Sequence, residues 1–557
     1  MLGVGRPNAN VAFPDFFALS TDIWWISELQ RFHDEVLAIH NNKKELFKLD
    51  FDGVWLDMNE PTSYGTNELN PWYFNDPSHA KTVPLQCPSS KYDKPPYQTY
   101  SVYDYIHTNA NVRPRFCLYI SENKLSEALL NLTEHMDAIS SSLASKTLCM
   151  AAISRAGPMY DVKNLYGLRQ SYVTQVALQN ITHKRANVLT RSSFPSGGKY
   201  AGHWLGENSA TWYDMRTSIV SVQLFNMFGI PYVGADICGY HGNATEDLCA
   251  RWQQLGAFYT LSRNYNDEIS SPHETSTPQY PTVWSKISNV TRQANLFKYQ
   301  HLPYLYTLMF EASRIGGTVI RPLFFEFSND KTTHGISNQF MWGSAMLIVP
   351  VSSAVRIETL NFRLRVHDEQ RLFSNGKHLC GSKTDHQFQD QSEIQAYLPS
   401  SAMWYSMREN IDYAQKVSGG SVLLSAPQDD LIPVFIRDEK QEARGQLVWD
   451  DGESIINGYD TYCYDDLRMF FKHRAIQFSR VKKCTSLTVP SITTIEVFGY
   501  TSPVPDVTSL RKQPGNIPLD NAAVIYDSQK QRLLITATNI YVFSTDENII
   551  VGWDNGT

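Results

Sequence analysis

The sequence predicts an α/β domain built on parallel strands, followed by two all-β domains. Three observations carry this. Up to about Asn338, short β-branched or aromatic runs alternate with segments of helical periodicity, the βα pattern of a parallel sheet or barrel. Beyond Asn338 short strands follow one another through turns with hardly any helix, which is β-sandwich grammar, with one domain over 339–430 and a second over 431–557. Finally, the stretch Gly53-Val-Trp-Leu-Asp57-Met-Asn-Glu60-Pro61 delivers two carboxylates and an amide to the tip of an apolar strand that Pro61 terminates. Burying Asp57 there costs several kcal/mol unless something pairs with it or uses it. A carboxylate at the carboxyl end of a strand is also how an α/β barrel presents a catalytic group.

Composition narrows the function classes. A 557-residue chain implies several cores, and 42% hydrophobic with 19% charged residues is ordinary for a globular protein. The net charge of -7, with no Lys/Arg stripe, argues against nucleic-acid and polybasic membrane surfaces. No apolar run approaches the roughly 18 residues of a membrane span; Ala345 to Val351 is too short. Tyr 30, Phe 27 and Trp 12 lean towards carbohydrate, because aromatic rings stack on apolar sugar faces; a large all-β core would give the same bias. Asn-x-Ser/Thr sequons at Asn131, Asn180, Asn243, Asn289 and Asn555 point to the secretory pathway, lysosomal, secreted or cell-surface. The eight cysteines lack CxxC pairs and fit scattered disulfides better than a zinc site, with Cys238 and Cys249 the first candidate bridge. No signal peptide is visible at Met1, so the true N-terminus is expected to lie upstream.

In chain order, a loop over 11–19 leads to a helix capped by Ser20 or Thr21 and running to about Asn41, striped by Trp25, Leu29, Phe32 and Val36. The strand Phe51 to Leu56 follows, then a long Pro-, Asn- and Tyr-rich loop from Thr62 to about Val112. An inserted segment near 101–142 contains a short strand, Phe116 to Ile120, and a helix striped by Leu125, Leu129, Leu132, Met136 and Ile139. Then come helix Val162 to Asn180, strand Asn187 to Thr190, a loop from Phe194, helix Ala210 to Met227 and strand Tyr232 to Asp236. Helix Glu246 to Leu255, strand Phe258 to Arg263, a long helix Ser285 to Ile315 and strand Val319 to Phe327 complete the series.

Asp57 with Glu60, Arg191 with Glu207, Asp236 and Arg263 thus collect at successive strand ends, with Trp55, Trp204, Trp212 and Phe258 nearby in sequence. Acidic and basic groups converging with aromatics suit a polyhydroxylated substrate. Two carboxylates flanking a glycosidic bond are what glycoside hydrolysis requires. Structural ion pairing alone would explain any single one of these residues, but not all of them together.

The chain resembles glycoside hydrolase family 31, on the branch of animal maltase, sucrase-isomaltase and lysosomal α-glucosidase. The resemblance rests on Gly53–Glu60, Leu189-Thr-Arg-Ser-Ser-Phe-Pro195, Gly202-His-Trp-Leu-Gly-Glu-Asn208, Gly234-Ala-Asp-Ile-Cys-Gly-Tyr240, Leu248-Cys-Ala-Arg-Trp252 and Arg263-Asn264, in family order. It implies a (β/α)8 TIM barrel that hydrolyses α-linked glucosides with retention, needing neither metal nor organic cofactor. Asp57 would be the nucleophile and Glu207 the acid/base. Arg191, Asp236 and Arg263 would bind sugar hydroxyls; Trp204, Tyr240 and Tyr265 would line the pocket, with Met58 beside the nucleophile. Disulfides Cys87–Cys149 and Cys238–Cys249 are also implied, leaving Cys117, Cys380, Cys463 and Cys484 open. Against the family pattern, Glu207 stands for Asp, Tyr265 for His and Thr260-Leu261 for Pro-Phe. The present strands count as the fourth to eighth of the barrel, so the first three are expected to be missing. These departures also admit a homologue that binds carbohydrate or a partner without turnover.

Overall fold

The structure, a computed structural model, describes residues 2–6, 9–40, 43–68, 71, 73, 82–93, 142–144, 146–267, 278–352, 392–438 and 442–554. The segment expected at 101–142, apart from its last residue, lies outside the described residues, as do Cys117, Cys380, Asn131 and Asn555. The chain divides into two units. Described residues up to Thr182, with Ala186–Phe194, form the first; His183–Arg185 and the remainder form the second.

In the first unit, β1 (Leu2–Arg6) and β2 (Ala9–Ala12) pair antiparallel. Helix α1 (Leu19–Asp34) begins one residue before the expected cap: Ala18 is the N-cap, and Ser20 and Thr21 lie in the first turn. It also stops seven residues short of Asn41. Val36 and its neighbours go extended instead, as β3 (Val36–His40) paired with β4 (Lys43–Phe47), an apolar β-branched run whose period the sequence alone leaves ambiguous. Of the helix's stripe, Trp25 packs edge-on against Phe16, while Phe32 is exposed. Strand β5 (Gly53–Leu56) is shorter than expected and half-buried, with only Leu56 fully covered. A two-residue hairpin, β6 (Ile153–Ser154) with β7 (Gly157–Pro158), leads into α2 (Met159–Val162) and α3 (Tyr166–Thr182). Strand β8 (Asn187–Thr190) then runs parallel to β5, from Gly53 opposite Asn187 to Leu56 opposite Thr190. The contact requires glycine at 53, since a Cβ there would sit 2.7 Å from the Asn187 carbonyl oxygen. Phe16, Leu148, Met159, Val162 and Tyr166 form this unit's core.

The second unit opens with β9 (Gly202–Trp204), a strand inside what reads as a loop. Helix α4 (Trp212–Met227) is capped by the Thr211 hydroxyl, which accepts from Asp214 N at 3.1 Å. Strand β10 (Val233–Gly234) runs parallel to β9, and α5 (Glu246–Gly256) follows, capped by Thr245. The expected strand Phe258 to Arg263 is absent: these residues form a buried turn, and only Arg263 makes a bridge, to Asp236. Phe258 is fully buried against Phe297 and Trp342, a core residue and not a pocket aromatic. The long helix is two, α6 (Ser285–Gln300) and α7 (Leu302–Ile315), broken at His301 because Pro303 has no N–H for a continuous ladder. Strand β11 (Ile320–Pro322) passes at once into the one-turn α8 (Leu323–Glu326).

That strand pairs antiparallel with β12 (Phe340–Trp342), opening a six-stranded antiparallel sheet. The sheet continues through β13 (Met346–Ile348), β14 (Glu393–Ser406), β15 (Lys416–Ser425) and β16 (Val434–Arg437), in the order β11-β12-β13-β16-β14-β15. Through β16, residues expected to open the distal domain hydrogen-bond with the proximal sheet. One core runs from α4, α5 and α6 into this sheet, and the indole of Trp342 donates to the Phe258 carbonyl at 2.8 Å.

The distal part has β17 (Glu442–Trp449), β18 (Asp465–Lys472), β19 (Ala475–Lys482), β20 (Ile492–Phe498), β21 (Arg511–Gln513), β22 (Ile517–Pro518), β23 (Ala523–Asp527), β24 (Arg532–Tyr541) and β25 (Asn548–Gly552). They form a six-stranded sheet, β17-β18-β19-β25-β21-β22, and a three-stranded one, β20-β24-β23, around Leu467, Phe478, Ile535, Tyr541 and Trp553. Disulfides join Cys87 to Cys149, Cys238 to Cys249, and Cys463 to Cys484, the last a pairing the sequence leaves open. No helix among the described residues is long and apolar enough to cross a membrane.

Inside the distal part the Arg480 guanidinium and the Asp465 carboxylate are both buried and paired, Nε to Oδ1 at 2.6 Å. Removing one partner strands the other charge, so Asp465→Ala should cost about 3–5 kcal/mol. The double change Asp465→Leu with Arg480→Met should cost much less. Calorimetric unfolding of the three proteins checks this, and equal losses in single and double variants would contradict it.

Candidate active site

Strand pairing in the first unit builds the Asp57 cluster. The β5–β8 ladder continues one step past the strands, with Arg191 N donating to the Leu56 carbonyl at 3.1 Å. That step carries the Arg191 side chain to the end of β5. Its Nη1 lies 3.1 Å from Asp57 Oδ1, while Nε and Nη2 reach the two oxygens of Glu60 at 2.9 and 3.3 Å. One guanidinium therefore spans both acids, and Arg191 is a cation beside Asp57. Planar donors in a fixed fork suit this arrangement, whereas a lysine ammonium would act as a point charge.

Met58 turns the chain under Asp57. Its φ of +56° is left-handed, a strained choice for a residue with a Cβ, and it aims the Met58 N–H at Asp57 Oδ1 at 2.7 Å. Asn59, buried, fastens the turn to the neighbouring strand: its amide donates to Thr190 Oγ1 at 2.8 Å and its carbonyl accepts from Ser192 N at 2.9 Å. Thr62 closes the cluster by donating to Glu60 Oε2 at 2.7 Å. For Glu60, burial alone pushes the carboxyl up, but Arg191 and Thr62 together outweigh it and hold it below the ordinary range.

The second unit carries its own acid–arginine pair at a strand end. Asp236 is fully buried just past β10, and Arg263 Nε lies 3.1 Å from its Oδ1. The bridge between these two residues, with Ile237 N donating to the Arg263 carbonyl at 2.7 Å, sets the guanidinium over the Asp236 carboxylate. Aromatic faces hold it there. Trp204, at the end of β9, and Tyr265 lie on the Arg263 guanidinium at 4.5 and 4.6 Å. Tyr240 stacks on Tyr265 at 5.3 Å, so Arg263 joins a row of rings. Glu207 lies exposed in the loop after β9. The Tyr240 phenol is pushed up to about 12 by burial first, then by the carboxylates of Asp267 and Glu207 and by Tyr265. It stays protonated and donates to Asp267 at 3.4 Å.

Of the residues predicted from sequence, Asp57, Met58 and Arg191 meet in the first unit, and Trp204, Asp236, Tyr240, Arg263 and Tyr265 in the second, with Glu207 near Tyr240. The sequence reading placed Asn59 at the strand tip without a role, gave Asn208 none, and missed Asp267. Asn208 accepts from Tyr240 N at 3.1 Å and donates to the Asp236 carbonyl at 3.0 Å. Both asparagines lie inside quoted motifs, where a polar residue beside a buried strand end is the available signal; Asp267 has none.

Two family descriptions match the chain: the glycosyl hydrolases family 31 TIM-barrel domain over residues 2–308, and the family 31 C-terminal domain over 316–362. The chain belongs to glycosyl hydrolase family 31. It is 33% identical over 486 residues to the probable maltase-glucoamylase 2 of Homo sapiens, covering 82% of this chain and 15% of that protein. It is 33% identical over 490 residues to the intestinal sucrase-isomaltase of Homo sapiens, covering 82% and 21%. The lysosomal alpha-glucosidase of Rattus norvegicus is 30% identical over 464 residues, covering 80% of this chain and 40% of that protein. The chain thus spans less than half the length of these family 31 relatives. Among solved structures, the catalytic subunit in an ER glucosidase II heterodimeric complex superposes with a TM-score of 0.67 at 18% identity, covering all of this chain and 50% of that one. A Flavobacterium johnsoniae GH31 dextranase gives 0.63 at 18%, covering all of this chain and 57% of its own. Both show the family 31 fold.

The depressed Glu60 carboxyl has a consequence for stability. Unfolded, Glu60 takes its proton in the ordinary range; folded, only at lower pH, so its contribution is present at neutral pH and fades as pH falls through the folded value. Glu60→Gln should therefore lower the melting temperature at neutral pH and flatten its decline below about pH 4.5. Thermal melts across that range check it, and parallel declines in both proteins would contradict it.

Proposed function

We propose that the full-length protein is a retaining glycoside hydrolase that removes terminal α-linked glucose from oligosaccharides. Asp57 attacks the anomeric carbon as Glu207 protonates the departing glycosidic oxygen, giving a β-glycosyl ester and a free alcohol. Water then attacks the same carbon, Glu207 takes its proton, and Asp57 departs as a carboxylate. Net, one glycosidic bond is exchanged for water with two inversions, hence retention.

The observation that carries this reading is the Arg191 fork across Asp57 and Glu60, set by the parallel β5–β8 pairing in a family 31 chain. Contacts from Arg191 and Met58 N to Oδ1 fix the direction of the Asp57 carboxylate, which supports a nucleophile's role for it. Arg191, Asp236 and Arg263 supply the donors and acceptors that sugar hydroxyls need. Trp204 and Tyr240 offer the ring faces of the pocket, and Met58 borders the nucleophile. The names of the relatives, maltase-glucoamylase and lysosomal alpha-glucosidase, support glucose as the sugar. Three disulfides and exposed sequon residues Asn180, Asn243 and Asn289 support passage through the secretory pathway.

The departures from family pattern weigh differently. Tyr265 clamps Arg263 with its ring, so it fills a positioning role that a lost imidazole would vacate, which favours turnover over binding alone. Glu207 keeps the acid but moves it by about an ångström, a displacement worth on the order of 100-fold in rate.

Hydrolysis of an aryl α-glucoside by the full-length protein, with the anomer of released glucose followed by NMR, tests the reading. α-Glucose should appear first, Asp57→Ala should abolish turnover, and Glu207→Asp should raise kcat by up to about 100-fold. Tyr265→Phe should stay near wild type, whereas Tyr265→Ala should lose roughly 3- to 30-fold. β-Glucose as first product, or full activity in Asp57→Ala, would overturn it.

A further inference from the structure

The six-stranded distal sheet starts with β17, so one side of that strand has no neighbour in the sheet. Val448 N donates to Thr307 Oγ1 of α7 at 3.0 Å, which marks the side turned away from β18. The β17–β18 register runs unbroken from Glu442 to Trp449, and alternate residues of a strand point their N–H and C=O groups to the same side. Arg444 and Gln446 therefore also offer theirs outwards. Near Val448 the helix closes this edge. Towards Glu442 it is open: Ala443, Arg444 and Gly445 are exposed in succession, and neither the Arg444 nor the Gln446 N–H has a partner among the described residues.

Cavities flank this open stretch, one of about 720 Å³ and one of about 890 Å³, and residues 443–445 line both. Cross-strand register sorts the side chains between them. Arg444 stands opposite Phe470 and Gln446 opposite Arg468, and these four line the first cavity. Ala443 stands opposite Phe471 and Gly445 opposite Met469, and these line the second.

The two faces differ in chemistry. On the first, Arg444 lies over the Phe470 ring at 4.7 Å and makes no ion pair among the described residues. Arg468, whose side chain is 56% exposed, meets Asp466 only at 4.0 Å. Glu311, the carboxylate on that cavity's wall, is already held by Arg314 at 2.9 Å and Gln446 at 3.1 Å. The first face is thus cationic. On the second, beside the small Ala443 and Gly445, Phe471 and Met469 stay only partly buried.

An extended chain laid along this edge would exchange hydrogen bonds with Arg444 and Gln446 and turn alternate side chains to the two faces. Acidic side chains suit the arginine face and apolar ones the other. A second copy of this chain does not suit it. Edge-to-edge pairing matches outward residues, so each copy's Arg444 would share one face with the other's, like charges together. We propose that the open edge of β17 docks an extended segment of a partner protein in which acidic and apolar residues alternate.

Fluorescence anisotropy of a labelled peptide of alternating aspartate and valine, about seven residues long, titrated with the full-length protein tests this. The peptide should bind. One with the same residues in two blocks, aspartates then valines, should bind at least about tenfold more weakly, because it cannot match both faces. Arg444→Gln and Arg468→Gln, which remove charge alone, should each weaken the alternating peptide by roughly tenfold. Arg444→Pro also removes an outward N–H without touching the β17–β18 ladder, so it should weaken binding further while melting near the wild-type temperature. No binding of the alternating peptide, equal binding of the block peptide, or affinity indifferent to the glutamine variants would overturn the proposal. A wild-type dimer that Arg444→Pro dissolves would also overturn it, by making a second copy the occupant.

Discussion

Arg191 is the interaction on which the first unit's cluster depends. Asp57 and Glu60 are three residues apart at the end of one strand, and two like charges so close oppose each other. A guanidinium with one arm on Asp57 and two nitrogens on Glu60 turns that repulsion into a network of net single negative charge. The geometry is not a side-chain accident. It follows from the β5–β8 register, which brings Arg191 N to the Leu56 carbonyl, and from Asn59, which ties the Met58 turn to Thr190 and Ser192. Sliding that register by one residue would turn Arg191 to the other face of the sheet.

The second unit repeats the theme with different chemistry. Asp236 and Arg263 again form a pair at a strand end, but ring faces, not a second acid, hold the arginine. Trp204 and Tyr265 give it two apolar planes, and Tyr240 backs Tyr265. A planar, weakly hydrated cation tolerates such a slot where an ammonium would not. The first unit's arginine is thus committed by charge and the second unit's by stacking, and each is paired with a carboxylate of its own unit.

Much of this was legible in the sequence, for physical reasons that also mark where legibility stopped. Strands 53–56 and 187–190, and helices 166–182, 212–227 and 246–256, announce themselves by period and by flanking breakers. The stretch 258–263 does not, because a buried turn and a buried strand have the same composition; Phe258 and Tyr259 are apolar because the core surrounds them. Residues 36–40 likewise carry an apolar pattern that fits helix until the pairing with 43–47 is seen. Pro303 should have divided the 285–315 helix, since the missing N–H is a local fact. At the site, the acids were visible as charges at strand tips, yet which arginine each would meet depends on register. The roles of Asn59, Asn208 and Asp267 depend on contacts distant in sequence or on folded loops.

In the proposed mechanism the carboxylate gripped by Arg191 becomes covalently bonded to sugar. The most direct measurement is to trap that ester with a 5-fluoro-α-glucosyl fluoride, digest the full-length protein and locate the added mass by tandem mass spectrometry. One glycosyl unit is expected on Asp57, absent from Arg191→Met protein under the same exposure. A label on Glu60, Asp236 or any other side chain would contradict it.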